Sequence, residues 1–282
     1  LISTFVAEAL MARMRREALA VVELDKLLAI INELAPASGA DPDDGPVFLR
    51  EGQAMSFKKI GVCVDPTERN LYEAASRGVQ FLITHHPWRG EAYETVEAKD
   101  LIIYQVHSAT NHGDEGNHRI LAQALGLEKI KLVPGGGVVA SANVLLKELI
   151  ERCQRVLDLN VVPYWGDLNE KVKKVAVLVG PGFLPIYRSA WETWLDEGCD
   201  TILTGELGRF PVALAAISRL KLVDLGHSTM VKPGMANLAY RLKNRLKAMG
   251  CEVEFFADLY GVNYYTTWFF PHLEDDAGVG RT

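Results

Sequence analysis

The sequence predicts an α/β protein made of two related α/β domains. Apolar runs of strand length alternate with longer segments of helical period, the pattern of β-α-β units around parallel sheets. One strand–helix–strand pattern occurs twice, as an internal duplication would leave it. Polar tips rich in histidine follow directly on several of the strands, at the carboxyl ends where open α/β sheets place ligand sites.

Taken in order, Leu1 to Ala20 combines helical apolar spacing with a basic cluster at Arg13, Arg15 and Arg16. The charges follow the apolar stretch, whereas an export signal places them before it, so the segment reads as an N-terminal extension, either an added surface helix or a leader. Phe57 to Val64 is a β-rich run. Asp65, Pro66 and Glu68 then fit an N-cap, a first helical position and the closing residue of a capping box. The helix carries Leu71, Ala74 and Ala75 on one face and ends near Gly78, and Val79 to Thr84 is the returning strand. A right-handed crossover between parallel strands is expected there.

Leu101 to Val106 is a further strand. His118 falls at the start of a helix containing Leu121 and Leu125 and reads as a first-turn surface residue. Pro134 to Gly137 begins a loop that lacks the Lys-Ser/Thr ending of a phosphate-binding loop, and Leu145 to Leu159 reads as an amphipathic helix. The pattern then recurs: strand Val172 to Val179, the tight turn Gly180-Pro181-Gly182, a helix from about Ile186 to Glu197 closed by Gly198, and the strand Asp200 to Thr204. Lys59 aligns with Lys174 and Pro66 with Pro181 at one offset, and Gly78 with Gly198 and Thr84 with Thr204 at a slightly longer one. Lys221 to Gly226 is another strand, and Val231 to Gly234 reads as a surface turn. The aromatic residues Tyr260, Tyr264, Tyr265, Trp268, Phe269 and Phe270 alternate like a strand suited to an interface, and Glu274 to Thr282 has the composition of a flexible tail. The expected organisation is an extension over 1–20, a first domain over 21–135 interleaved with the C-terminal part, a second over 136–272 and a tail over 273–282.

Hydrophobic residues make up 49% of the 282 positions and charged residues 23%, which excludes disordered, collagen-like and disulfide-stapled chains. A net charge of -6 removes the bulk positive field that drives nucleic-acid binding. No uninterrupted apolar run reaches the ~18–20 residues that span a bilayer. The cysteines at 63, 153, 199 and 251 form no C-x-x-C pair, so a reducing, cytoplasmic location is expected.

Histidine carries the chemical signal. Of 7 histidines, His85, His86, His107, His112 and His118 fall in one stretch of the chain, and His227 and His272 lie far downstream. His85 and His86 follow one strand, His107 a second and His227 a third, so strands that share a sheet edge could bring them together. Taken singly, each suits a polar residue at a loop entrance. Taken together they point to a divalent ion, with zinc, iron or manganese as candidates. Glu206, at the tip of the second copy, reads either as a general base and water-orienting group or as a solvated carboxylate.

Several motifs together resemble one family. These are V-D-P-T (Val64 to Thr67), G-x-x-x-x-I-T-H-H-P (Gly78 to Pro87) and H-S-A-T-N (His107 to Asn111). G-N-x-x-L-A-x-A-L-G-L (Gly116 to Leu127), T-G-E (Thr204 to Glu206) and D-x-G-H (Asp224 to His227) follow. In this order the sequence resembles the Nif three-like (NGG-one interacting factor three) proteins, also called GTP cyclohydrolase 1 type 2 homologues, over roughly residues 22 to 270. The resemblance implies a dinuclear metal centre in a cleft between the two domains, and assembly into a toroidal homohexamer. It implies metal-ligand roles for His85, His86, His107 and His227. The family's aspartate four residues after the His107 position is Asn111 here, and its glutamate four residues after the His227 position is Val231. Asn111 could itself offer one weak carbonyl oxygen to a metal, and His112, Asp114 or Glu115 could partly stand in for the aspartate. A neutral amide and an alkyl group cannot bridge two cations, so the expectation is one metal, or two held weakly. Two functions remain open: a metal-dependent hydrolase of a nucleotide or related heterocycle, or a non-catalytic metal-binding scaffold, regulator or chaperone.

Overall fold

The computed structural model describes residues 21–36, 45–48, 55–87, 101–111, 114–134, 136–184, 188–207 and 209–259. The N-terminal extension, the aromatic segment from Tyr260 to Phe270, the tail and His112 lie outside the described residues. The chain divides into two units, residues 1–121 with 231–261, and residues 122–230 with 262–282.

The first unit opens with β1 (Val22–Glu23), α1 (Leu24–Leu34), β2 (Gly45–Phe48), β3 (Ser56–Phe57) and β4 (Lys59–Cys63). It continues through α2 (Glu68–Ser76), β5 (Phe81–Thr84) and β6 (Ile102–Gln105), and α3 (Asn117–Ala124) follows a short 3-10 turn, Ser108–Thr110. β5 is buried along its whole length and apolar up to its last residue, Thr84, as suits a strand covered on both faces. β4, β5 and β6 pair in parallel, with Cys63 opposite Thr84 and Thr84 opposite Gln105. α2 lays Leu71 and Ala74 against Cys63, Leu82, Leu101 and Ile103. Its N-cap is Thr67, whose Oγ1 accepts a hydrogen bond from Asn70 N at 3.2 Å. The expected cap at Asp65 is therefore corrected, and Pro66 sits ahead of the helix, because the Asp65 carboxylate is committed elsewhere. His118 also differs from expectation: it is buried, since it lies with Leu121, Ala122 and Leu125 on the i, i+3, i+4, i+7 stripe that α3 turns inward.

The second unit contains β7 (Glu128–Leu132), β8 (Val138–Leu145), α4 (Leu146–Leu157), β9 (Tyr164–Trp165) and β10 (Lys171–Val177). Then come α5 (Arg188–Asp196), β11 (Thr201–Thr204), α6 (Arg209–Ser218) and β12 (Lys221–Asp224). These strands form one mixed sheet in the order β7-β8-β10-β11-β12-β9, in which β10, β11 and β12 are parallel. Trp194 and Ala190 of α5 fill the core beside Leu178, Ile202 and Leu222. The turn expected at Gly180-Pro181-Gly182 is present, closed by Gly182 N donating to Gly180 O at 2.9 Å. Each unit thus carries a strand–helix–strand of parallel pairing, β4-α2-β5 in one and β10-α5-β11 in the other.

The long helix α7 (His227–Ala248) corrects a further expectation, because Val231 to Gly234 lies inside it and forms no turn. Pro233 withholds one backbone donor there, yet the residues on both sides remain helical and Val231 is fully buried. β13 (Glu254–Asp258) then completes the first unit's five-stranded sheet, in the order β13-β4-β5-β6-β2, pairing in parallel with β4 and placing Phe256 opposite Gly61. No helix among the described residues is long and apolar enough to cross a membrane.

Candidate metal centre

Parallel pairing of β5 and β6 brings their carboxyl ends side by side, and the residues leaving those ends are His85, His86 and His107. The backbone fixes these exits. His85 N and His86 N both donate to Val64 O, at 3.2 and 3.0 Å, and Val106 N donates to Thr84 O at 2.9 Å. The three rings consequently cluster, with centroids 4.7 Å apart for His85–His86, 4.7 Å for His85–His107 and 5.8 Å for His86–His107. One ligand atom from each lies within 4.8 Å of the other two. Nitrogens bound to one zinc at ~2.0–2.1 Å stand at most about 4.2 Å apart. The set is therefore somewhat wider than a bound zinc would draw it, and its three donor atoms could close on a single ion.

Hydrogen bonds at Nδ1 hold two of the imidazoles in place. His86 Nδ1 lies 2.5 Å from Asp65 Oδ1 and donates to it, because a carboxylate can only accept. His85 Nδ1 lies 3.1 Å from Thr110 Oγ1, a hydroxyl that also faces the carbonyls of Val106 at 2.7 Å and His107 at 2.9 Å. With Nδ1 of His86 protonated, the lone pair of that ring in its neutral form is at Nε2. Three neutral imidazoles with an orienting carboxylate behind one of them suit zinc, iron, copper or nickel better than magnesium or calcium.

Asn111 turns its Oδ1 toward Asn117, whose Nδ2 donates to it at 2.9 Å. Val231 is buried and offers no donor atom.

In the second unit, β11 and β12 end on another polar pair. The Asp224 carboxylate, fully buried, accepts from Leu207 N at 2.7 Å and from Gly226 N at 2.9 Å, tying the two strand exits together. Glu206 and His227 leave those exits and meet, His227 Nδ1 and Glu206 Oε1 standing 2.9 Å apart. Gly180, with φ +102°, passes beside the far edge of the ring; a Cβ there would lie 3.2 Å from His227 Nε2. A side chain at 180 would crowd the nitrogen that carries the lone pair when Nδ1 donates to Glu206.

A family model described as Duf34/NIF3 (NGG1p interacting factor 3) matches residues 22–259. The chain belongs to the Duf34/NIF3 family. Among NIF3 relatives, a Clostridium perfringens protein named GTP cyclohydrolase 1 type 2 homolog is 24% identical over 257 residues, covering 83% of this chain and 95% of its own. A Streptomyces coelicolor protein of the same name is 27% identical over 234 residues, covering 72% and 80%. A crystal structure of a Bacillus cereus protein related to NIF3 superposes with a TM-score of 0.75 at 17% identity, covering 89% of this chain and 99% of its own, and so shares the fold.

Sequence reasoning missed the supporting residues of this NIF3 chain. Asp65 reads locally as a helix cap, and Thr110, Asn117 and Asp224 read as unremarkable members of their motifs. The available signal was their place inside the same short motifs as the histidines, H-S-A-T-N and D-x-G-H.

Proposed function

We propose that this NIF3 protein binds one divalent transition-metal ion through His85, His86 and His107 and is a metal-dependent hydrolase of a nucleotide or related heterocycle. One observation carries the reading: three histidines leaving adjacent parallel strands hold their donor atoms within 4.8 Å of one another. A divalent ion held by His85, His86 and His107 would supply Lewis-acid chemistry, lowering the pKa of a water brought to it. Asp65 and Thr110 hold two of the rings in register for it. His227, assigned a ligand role by the family pattern, presents Nε2 while Glu206 holds Nδ1; this makes Glu206 an orienting carboxylate, with proton transfer to or from a water as its alternative duty. GTP is the first substrate to test because relatives carry that name. The homohexameric assembly is likewise proposed from the family resemblance, and light scattering reports it.

A second reading, a metal-binding protein without turnover, is favoured by Asn111 and Val231, which leave the donor set without a bridging carboxylate. Elemental analysis of the purified protein, joined to GTP turnover with added zinc, iron or manganese, separates the readings. The expected result is about one ion per chain, lost in the His85→Ala, His86→Ala double variant along with turnover. Two tightly held ions per chain would refute the single-ion site, and turnover that survives the double variant would refute the metal mechanism. A bound ion without turnover of any nucleotide would establish the second reading.

A further inference from the structure

We propose that Thr110 and Asn117 form a tautomer lock on His85, resting on the metal-binding reading above but acting in the metal-free protein as well. The Thr110 hydroxyl has a single proton to give. Its oxygen stands 2.7 Å from Val106 O and 2.9 Å from His107 O, and carbonyl oxygens can only accept, so the proton is spent there. The lone pairs of Oγ1 are left to receive donors. Asn117 Nδ2 supplies one at 3.2 Å, and the remaining neighbour is His85 Nδ1 at 3.1 Å. That nitrogen must therefore carry hydrogen, and a neutral His85 must hold its lone pair at Nε2.

The lock is itself braced. The Asn117 side chain, buried with its residue at 1% exposure, donates its second amide hydrogen to Asn111 Oδ1. This gives the asparagine at 111 a task that does not involve coordinating metal. Behind Asn117 runs α7, at Gly234; a Cβ built on Gly234 would fall 1.6 Å from Asn117 Oδ1. Only glycine lets the amide stand where it orients Thr110. Thr110 also touches the carbonyl of His107, so one hydroxyl registers the ring of one histidine against the turn that carries another. Thr110 and Asn117 are positioning residues: neither is a metal donor, and both act through His85.

The test uses the full chain with 15N-labelled histidine. Long-range proton–nitrogen spectra of the metal-free protein report each ring's tautomer, and chelator competition reports zinc affinity. In the wild type His85 is expected as the Nδ1–H tautomer. Thr110→Val, which removes the hydroxyl, is expected to mix the tautomers of His85 and to weaken zinc binding about 10–100-fold, with the His86 signals unchanged, and Thr110→Ser is expected to restore both. An Nε2–H tautomer of His85 in the wild type would overturn the lock even if Thr110→Val failed to fold. A Thr110→Val protein with unchanged tautomer and affinity would overturn it too. A wild type that shows the Nδ1–H tautomer yet binds no zinc would sink the metal reading and leave the lock standing.

Discussion

Asp65 shows how much a single side chain can be asked to do. It lies two residues beyond β4, its backbone carbonyl accepts from Asn70 Nδ2 at 2.7 Å, and its carboxylate reaches His86, twenty-one residues on, at 2.5 Å. A carboxylate behind a metal-ligating imidazole fixes the ring and raises its basicity. Asp65→Asn keeps the shape and removes the charge. We expect it to weaken zinc binding about 10–100-fold in a chelator competition while far-UV circular dichroism stays unchanged. An affinity equal to wild type would show that the aspartate serves the loop alone. The histidines were legible in the sequence because imidazoles directly after strands are conspicuous. The role of Asp65 was not, because Asp-Pro-Thr-Glu satisfies the local rules for a helix start whether or not a histidine approaches from a different strand. Only the parallel register of β4 and β5 supplies that histidine.

At the scale of elements, β4, α2, β5, β10, α5 and β11 were legible because their periodicity and punctuation agree with their packing. α7 was not. Val231-Lys232-Pro233-Gly234 carries the strongest turn signal in local sequence, and a helix runs through it. Val231 and Met235 are fully buried and Gly234 meets Asn117, so packing against the rest of the first unit outweighs the missing donor of Pro233. Gly234→Ala would favour the helix by intrinsic propensity, by about 1 kcal/mol. The added methyl nevertheless collides with Asn117, and overpacking of this kind costs about 1–3 kcal/mol. We therefore expect a lower urea midpoint, and zinc affinity reduced together with the order of the Thr110 turn. A midpoint above wild type would mean that the two segments part at no cost.

For the molecule as a whole, what the sequence could not reveal were the long-range pairings. The antiparallel strands β2, β7, β8 and β9 flank the parallel cores, and β13 joins the sheet of the first unit almost two hundred residues after β4. No local pattern encodes such a partner. The cysteines offer a global readout of both units. Burial pushes the Cys153 and Cys199 thiols up to about 12 and drives Cys63 higher still. Below an unfolded thiol pKa near 9.0 both states keep their protons and stability is unaffected. Above it the unfolded chain ionises while the native one does not, so stability falls as pH rises toward 12. Each buried thiol steepens that fall by up to about 1.4 kcal/mol per pH unit. Urea midpoints measured between pH 8 and about pH 11 should drop, and the slope should flatten in a Cys153→Ala, Cys199→Ala variant. Equal slopes in the two proteins would show that the thiols ionise without unfolding.

The carbonyl of Val64 has two tenants, the amides of His85 and His86. Neither peptide can swing outward without disturbing the anchor of its neighbour. The paired donors are thus tied through one oxygen to the residue that follows β4, and a fluctuation that freed that oxygen would release both imidazoles in a single stroke.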